Sequence, residues 1–305
     1  MRPESAPPTT TGPGPDDRAG HGTDDRAGHA LRGVTRLHAF NRYEIKYLVD
    51  NAAVPALRDQ LARRLDRDSH AGTTGYGVWS LYYDTDDLRF YWEKIEGLRF
   101  RRKLRIRHYG DRTGIDDDTT VHVEIKQRVN RVTQKRRIAL PYRLARQLCD
   151  GRAMIDHTEP QRGFVQEVLG LVSGLDLRPV AITGYHRQAF VGTGADLGLR
   201  VTLDTRVRGR DRDLHLGVDA ENRFIVPPWR SIMEVKANER VPYWLTDLAA
   251  QADLSVVRVS KYCQCVEAFG RAPRSVFHLP ADAPPPPPDR PAGELLAVGA
   301  SGGRA

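Results

Sequence analysis

The sequence predicts an α+β protein: helices around a closed antiparallel β-barrel tunnel of about eight strands. Two observations carry the fold class. Eight segments alternate at period two, and the four helical stretches between and after them show no regular strand–helix–strand alternation of the kind a parallel sheet needs. Eight strands is a barrel or sandwich count, and a third observation argues for closure. The alternation concentrates Glu, Lys and Arg on one face of at least six strands, and a barrel would gather those faces around one hydrated axis with the helices outside.

The first strand is expected over 42–49, where Glu44 and Lys46 lie opposite Tyr43, Ile45 and Tyr47. Leu57, Leu61 and Leu65 follow at helical spacing. Strands come next over 77–84, 98–109, 120–128 and 132–140. In "LRFRRKLRIRH" the residues Arg99, Arg101, Lys103, Arg105 and Arg107 share one face, and Leu98, Phe100, Leu104 and Ile106 share the other. In 120–128, His122, Glu124, Lys126 and Arg128 oppose Val121, Val123 and Ile125. Phe164, Val168 and Val172 mark a second helix. Strands over 181–191, 198–207 and 231–237 pair Tyr185 with Arg187, Arg200 with Asp204, and Glu234 with Lys236 on common faces. Trp244, Leu245 and Leu248 after Pro242, then Tyr262, Val266 and Phe269, mark the last two helices.

These elements form one domain, 38–274. Residues 1–37 hold almost no large apolar side chain and repeat "DDRAGH" at 16–21 and 24–29, so they are expected to be disordered. Residues 275–305, with "APPPPPD" and a Gly/Ser/Ala finish, read as polyproline II and flexible coil. No apolar run reaches the roughly 18–20 residues needed to span a bilayer, and no basic-then-apolar signal opens the chain. Cys149, Cys263 and Cys265 lack zinc spacing and read as buried thiols of a cytoplasmic protein.

The net charge of +8 favours a polyanionic partner. One motif sharpens this: Glu-aliphatic-Lys occurs as Glu44-Ile45-Lys46, Glu124-Ile125-Lys126 and Glu234-Val235-Lys236, each inside a strand. Five cations on one strand face repel unless an anion or interleaved carboxylates offset them. A polyphosphate ligand suits such a face, with Lys and Arg on non-bridging oxygens and Glu residues holding a bridging divalent cation. The chain has no Gly-x-x-x-x-Gly-Lys-Ser/Thr loop, no nucleophile beside a base, and no metal spacing among His38, His122 and His186.

The ordered stretches "RYEIKYLV", "LRIRHYG", "VHVEIKQRVNRVTQKRR", "YHRQAF", "LRVTLDT", "IMEVKANE" and "VRVSKY" resemble the vacuolar transporter chaperone (VTC) domain, a polyphosphate polymerase module of the triphosphate tunnel metalloenzyme superfamily. The resemblance implies a closed β-tunnel in which ATP donates its γ-phosphate to a growing inorganic polyphosphate chain, with Mn2+ or Mg2+. By position, Lys46, Arg105, Arg107, Lys126, Lys135, Tyr185, Arg187 and Arg200 resemble the triphosphate-holding residues. Of these, Arg105, Arg107, Lys126, Arg187 and Arg200 would neutralise the transferring phosphates. Glu234 matches the metal-binding glutamate, with Glu124 and Glu44 as further candidate ligands; Glu44 is equally an ion-pair partner of nearby cations. Lys236 would contact phosphate, as would Arg258, Ser260 and Lys261, although Arg258 stands where a lysine is familiar.

Two departures qualify the match. Arg42 occupies the first position of the superfamily's Glu-x-Glu-x-Lys, which weakens the case for simple triphosphate hydrolysis. The inositol-phosphate-sensing domain and membrane helices of eukaryotic members have no counterpart, so a stand-alone bacterial enzyme is expected. A metal-dependent triphosphatase and a non-catalytic polyanion-binding module are the alternatives. Nucleic acid is not expected, because Phe100 faces away from the arginines, and the sequence points to no protein partner.

Overall fold

A computed structural model describes residues 42–285 apart from Ala71, Thr73, Arg131, Glu239 and Ala283. The tail expected over 1–37 and most of the proline-rich tail lie outside the described residues. The strands are β1 (Arg42–Asp50), β2 (Asp66–Arg67), β3 (Tyr76–Asp84), β4 (Phe100–Tyr109), β5 (Thr120–Val129), β6 (Val132–Pro141), β7 (Arg178–Val191), β8 (Arg200–Arg210), β9 (Arg223–Phe224), β10 (Arg230–Asn238) and β11 (Ser255–Val256). The α-helices are α1 (Val54–Ala62), α2 (Arg89–Ile95), α3 (Tyr142–Cys149), α4 (Arg162–Gly174), α5 (Tyr243–Gln251) and α6 (Lys261–Ala268). Among the described residues no helix is long and apolar enough to cross a membrane.

The strands form one antiparallel sheet in the order β11-β1-β10-β8-β7-β3-β4-β5-β6, with β2 on β7 and β9 on β8. All eight expected long strands are present. The closed eight-strand barrel is not: the sheet has eleven strands, and its edges β6 and β11 are not hydrogen-bonded to each other. The three extra strands hold two residues each, too few for alternation to reveal. The sheet curls nonetheless. Lys126 of β5 reaches Glu44 of β1 at 3.3 Å, although seven strands of the main path from β1 to β5 span the distance between them, so side chains rather than a backbone ladder bring the two halves together.

Apolar alternation builds the outer layer in two parts. Leu81, Leu104, Val123 and Ile125 pack under Tyr142 and Leu148 of α3 and Phe164 and Val168 of α4. Tyr47, Val201, Leu203 and Met233 pack under Leu57 and Leu61 of α1 and Leu245 and Leu248 of α5. Not every helix lies outside. Tyr82, Tyr185 and Ile232 share the parity of the charged side chains, and they pack against Tyr91 of α2 and Tyr262, Cys263 and Val266 of α6. Those two helices therefore occupy part of the charged, concave face, because at one end that face is apolar.

Candidate functional site

The register explains the repeated Glu-aliphatic-Lys. β1 and β10 are antiparallel neighbours, so two copies of the motif place Glu44 opposite Lys236 and Lys46 opposite Glu234. The result is a checkerboard of alternating charge, favourable across strands. β8 does not continue it, since Arg200 stands opposite Lys236 and Thr202 opposite Glu234.

The third copy, on β5, has no such twin. Its flanks are β4 and β6, which put Arg105 and Arg137 on either side of Glu124, and Lys103 and Lys135 on either side of Lys126. Three lysines thus stand abreast across three strands. Like charges directly opposite each other destabilise a sheet, so this rank is arranged for something other than stability.

Glu124 is the counter-ion at the centre of this half. Arg105 donates to Oε2 from Nε at 2.8 Å and from Nη2 at 2.6 Å, Lys135 lies 2.6 Å from Oε1, and Arg107 and Arg137 lie at 4.0 and 3.9 Å. Burial opposes ionisation of Glu124, but Arg105, Arg107 and Lys135 outweigh it and hold the carboxyl well below its usual range. Lys135 does not gain equally. Burial lowers its ammonium to about 8, against which Glu124 is only a partial offset, since one carboxylate is shared among four cations. Burial likewise lowers Lys126, even though 43% of its side-chain surface stays open. A group that is open yet poorly hydrated sits in a concavity.

A second buried node centres on Asp204. Arg187 donates to it from Nε and Nη2 at 2.6 and 2.7 Å, and Lys261 Nζ lies 2.6 Å away. The ring of Tyr185 lies beneath both cations, 4.4 Å from Lys261 Nζ and 5.1 Å from the Arg187 guanidinium carbon, while its hydroxyl accepts from Arg107 Nη2 at 3.4 Å. Ser260 caps α6 and accepts from Lys103 Nζ at 2.8 Å, tying the start of that helix to the lysine rank.

Lys46, Arg105, Arg107, Lys126, Lys135, Tyr185, Arg187, Lys236, Ser260 and Lys261 therefore converge on one face with Glu44, Glu124 and Glu234. Two expected residues do not join the cluster. Arg200 has the right parity, but its guanidinium pairs with Asp68, and Arg258 is exposed beside buried Val259. Residues not singled out as site candidates do join it: Lys103, Asp204 and Tyr82. The Tyr82 hydroxyl accepts from Arg105 at 3.1 Å and its ring stacks on Tyr262 at 5.0 Å. Burial resists its ionisation, but Arg105, Arg107 and Lys103 bring it down to about 7. Its parity within 77–84 was the available signal.

Among the described residues no three His, Cys, Asp or Glu side chains form a ready-made metal cage. A cation that shares its coordination with substrate needs fewer. Glu234 pairs with Lys236, and Glu44 lies 3.1 Å from Lys46 and 3.3 Å from Lys126. Burial raises both carboxyls, but Lys46 and Lys236 outweigh it and hold them below the usual range, and the register sets the two diagonally across β1 and β10. Two hard carboxylates with the remaining positions left to water and phosphate oxygens fit Mg2+ or Mn2+. Glu124, with four cations within 4.0 Å, is less suited.

The VTC domain family model matches residues 41–269. The chain is 24% identical over 289 residues to vacuolar transporter chaperone complex subunit 4 of Trypanosoma cruzi, and 26% identical to that of Trypanosoma brucei; each comparison covers 79% of this chain. The chain spans about a third of the length of these relatives, 36% in both cases. A solved structure of a putative adenylate cyclase from Bacillus halodurans aligns over 72% of this chain and 96% of its own, with 15% identity and a TM-score of 0.42. With the family model extending over nearly the whole of the described sheet and its helices, the chain belongs to the VTC domain family.

Proposed function

We propose that this chain is an ATP-dependent polyphosphate polymerase. The concave face binds the triphosphate of ATP; an oxygen of the terminal phosphate of a polyphosphate chain bonds to the γ-phosphorus, the bond from that phosphorus to the β,γ-bridging oxygen breaks, and ADP leaves. The rank of Lys103, Lys126 and Lys135 carries this reading, because a closely spaced polyanion offsets its repulsion. Arg105, Arg107, Arg187 and Lys261 arrive already oriented by Glu124 and Asp204, so they can meet charge developing on the transferring group without reorganising. Glu234 and Glu44 would hold the divalent metal, which when bound neutralises and aligns phosphate oxygens.

The carboxylates of the face favour transfer over hydrolysis. Glu124, Asp204, Glu44 and Glu234 all remain ionised well below neutral pH and are ion-paired, so none is a base matched to activating water. A terminal phosphate is already anionic and needs no base. Incubation with ATP and Mn2+ tests this. Long polyphosphate on a gel, abolished by Lys126→Ala, supports the polymerase; orthophosphate without polymer supports a triphosphatase; binding without turnover leaves a polyanion-binding module.

A further inference from the structure

The cations of the concave face fall into two groups. Arg105, Arg107, Arg187, Lys261, Lys46 and Lys236 are each balanced by Glu124, Asp204, Glu44 or Glu234. Two strand residues beyond the lysine rank, about 7 Å further along, the balance ends. Arg101 and Arg128 stand directly opposite each other on β4 and β5. Lys94 lies on α2, which is held beside this end of β4 where its Glu93 accepts the Arg102 backbone N–H at 2.8 Å, and its neighbours in charge are Lys103 and Arg101. Among the described residues no carboxylate lies within ion-pair range of Lys94, Arg101 or Arg128; Arg128 donates only to the Asn130 carbonyl, at 2.9 Å. Exposure rises in the same direction, from buried Arg107 through half-buried Lys103 and Arg101 to exposed Arg128.

Such clustering is costly. Burial, then Lys103 and Arg101, lower Lys94 to about 8, and burial and Arg128 lower Arg101. The ligand that offsets the cost must be anionic, extended and able to reach the lysine rank. The rings of Phe100 and Tyr262 are not free to stack a base: Phe100 is on the opposite face under Arg102, and Tyr262 is covered by Tyr82 and Lys103.

We propose that Lys94, Arg101 and Arg128 form a docking ledge for an inorganic polyphosphate chain, holding the phosphates that run outward from the site of transfer. This rests on the polymerase reading and separates from it experimentally. Arg101→Ala/Arg128→Ala is expected to bind long-chain inorganic polyphosphate on the order of ten- to a hundredfold more weakly than wild type, with tripolyphosphate affinity held within about twofold. Its product chains should be shorter. Arg128→Glu alone, a substitution at an exposed position, should shift affinity the same way.

Unchanged affinity for the long chain, or equal weakening for long and short chains, overturns the ledge, as does tighter binding of single-stranded DNA of matched charge. If the ledge variants lose the long chain but wild type makes no polymer from ATP and Mn2+, the ledge stands and the polymerase falls. If wild type makes polymer and the variants bind and elongate like it, the reverse holds.

Discussion

Lys135 shows how one residue links electrostatics to ligand binding. Its ordinary pKa of 10.5 falls to about 8 in the folded protein, so its charge opposes folding below about pH 8, and that penalty fades as pH rises from about 8 to 10.5. A phosphate anion bound beside it would reverse the balance and let Lys135 take up a proton. Calorimetry near pH 8 in buffers of different ionisation enthalpy is expected to show net proton uptake on tripolyphosphate binding, and affinity should fall as pH rises through about 8. Lys135→Met should reduce that uptake, leaving the part due to Tyr82, while changing stability by no more than about 1 kcal/mol, because Glu124 keeps Arg105 and Arg107. Asp204 is the contrasting case. Asp204→Asn leaves Arg187 and Lys261 buried without their anion and should cost about 3–5 kcal/mol in denaturant unfolding. Tripolyphosphate should restore more stability to that variant than to wild type.

At the scale of elements, legibility follows length and parity. The eight long strands and four of the six α-helices were readable because each repeats its period at least twice. α2 was not, since seven residues with Phe90, Tyr91 and Glu93 buried show no clear stripe; it starts where Asp84 accepts the backbone N–H groups of Phe90 and Tyr91. α3 buries Tyr142, Ala145, Leu148 and Cys149, a helical spacing present in the sequence but short. One glycine is dictated by a neighbour. A Cβ on Gly184 would lie 2.2 Å from the Trp79 ring, which crosses from β3 onto β7. Gly184→Ala is expected to destabilise by about 1–3 kcal/mol, read as a lower midpoint at unchanged slope. Ser260→Ala removes the α6 cap and should cost about 1 kcal/mol, while also freeing Lys103.

For the whole molecule, parity identified which side chains share a face, and register then determined their partners. Glu44 and Lys46 could be seen to face the same way as Glu234 and Lys236 from sequence, but the checkerboard required knowing that β1 and β10 are neighbours. The lysine rank likewise needed β4, β5 and β6 in register. Closure was over-read, since shared parity demands only that the faces meet, and an open, curled sheet achieves that through Lys126 and Glu44. Arg200 shows the limit of parity, for its guanidinium is claimed by Asp68 on the loop after β2.

The central claim is that strands distant in sequence present their lysines to one common ligand. Amine-acylation footprinting with and without tripolyphosphate, read by mass spectrometry, tests it most directly. Simultaneous protection of Lys46, Lys126, Lys135 and Lys236, which come from β1, β5, β6 and β10, is the predicted result. Protection confined to one or two of these strands, or none at all, would contradict it.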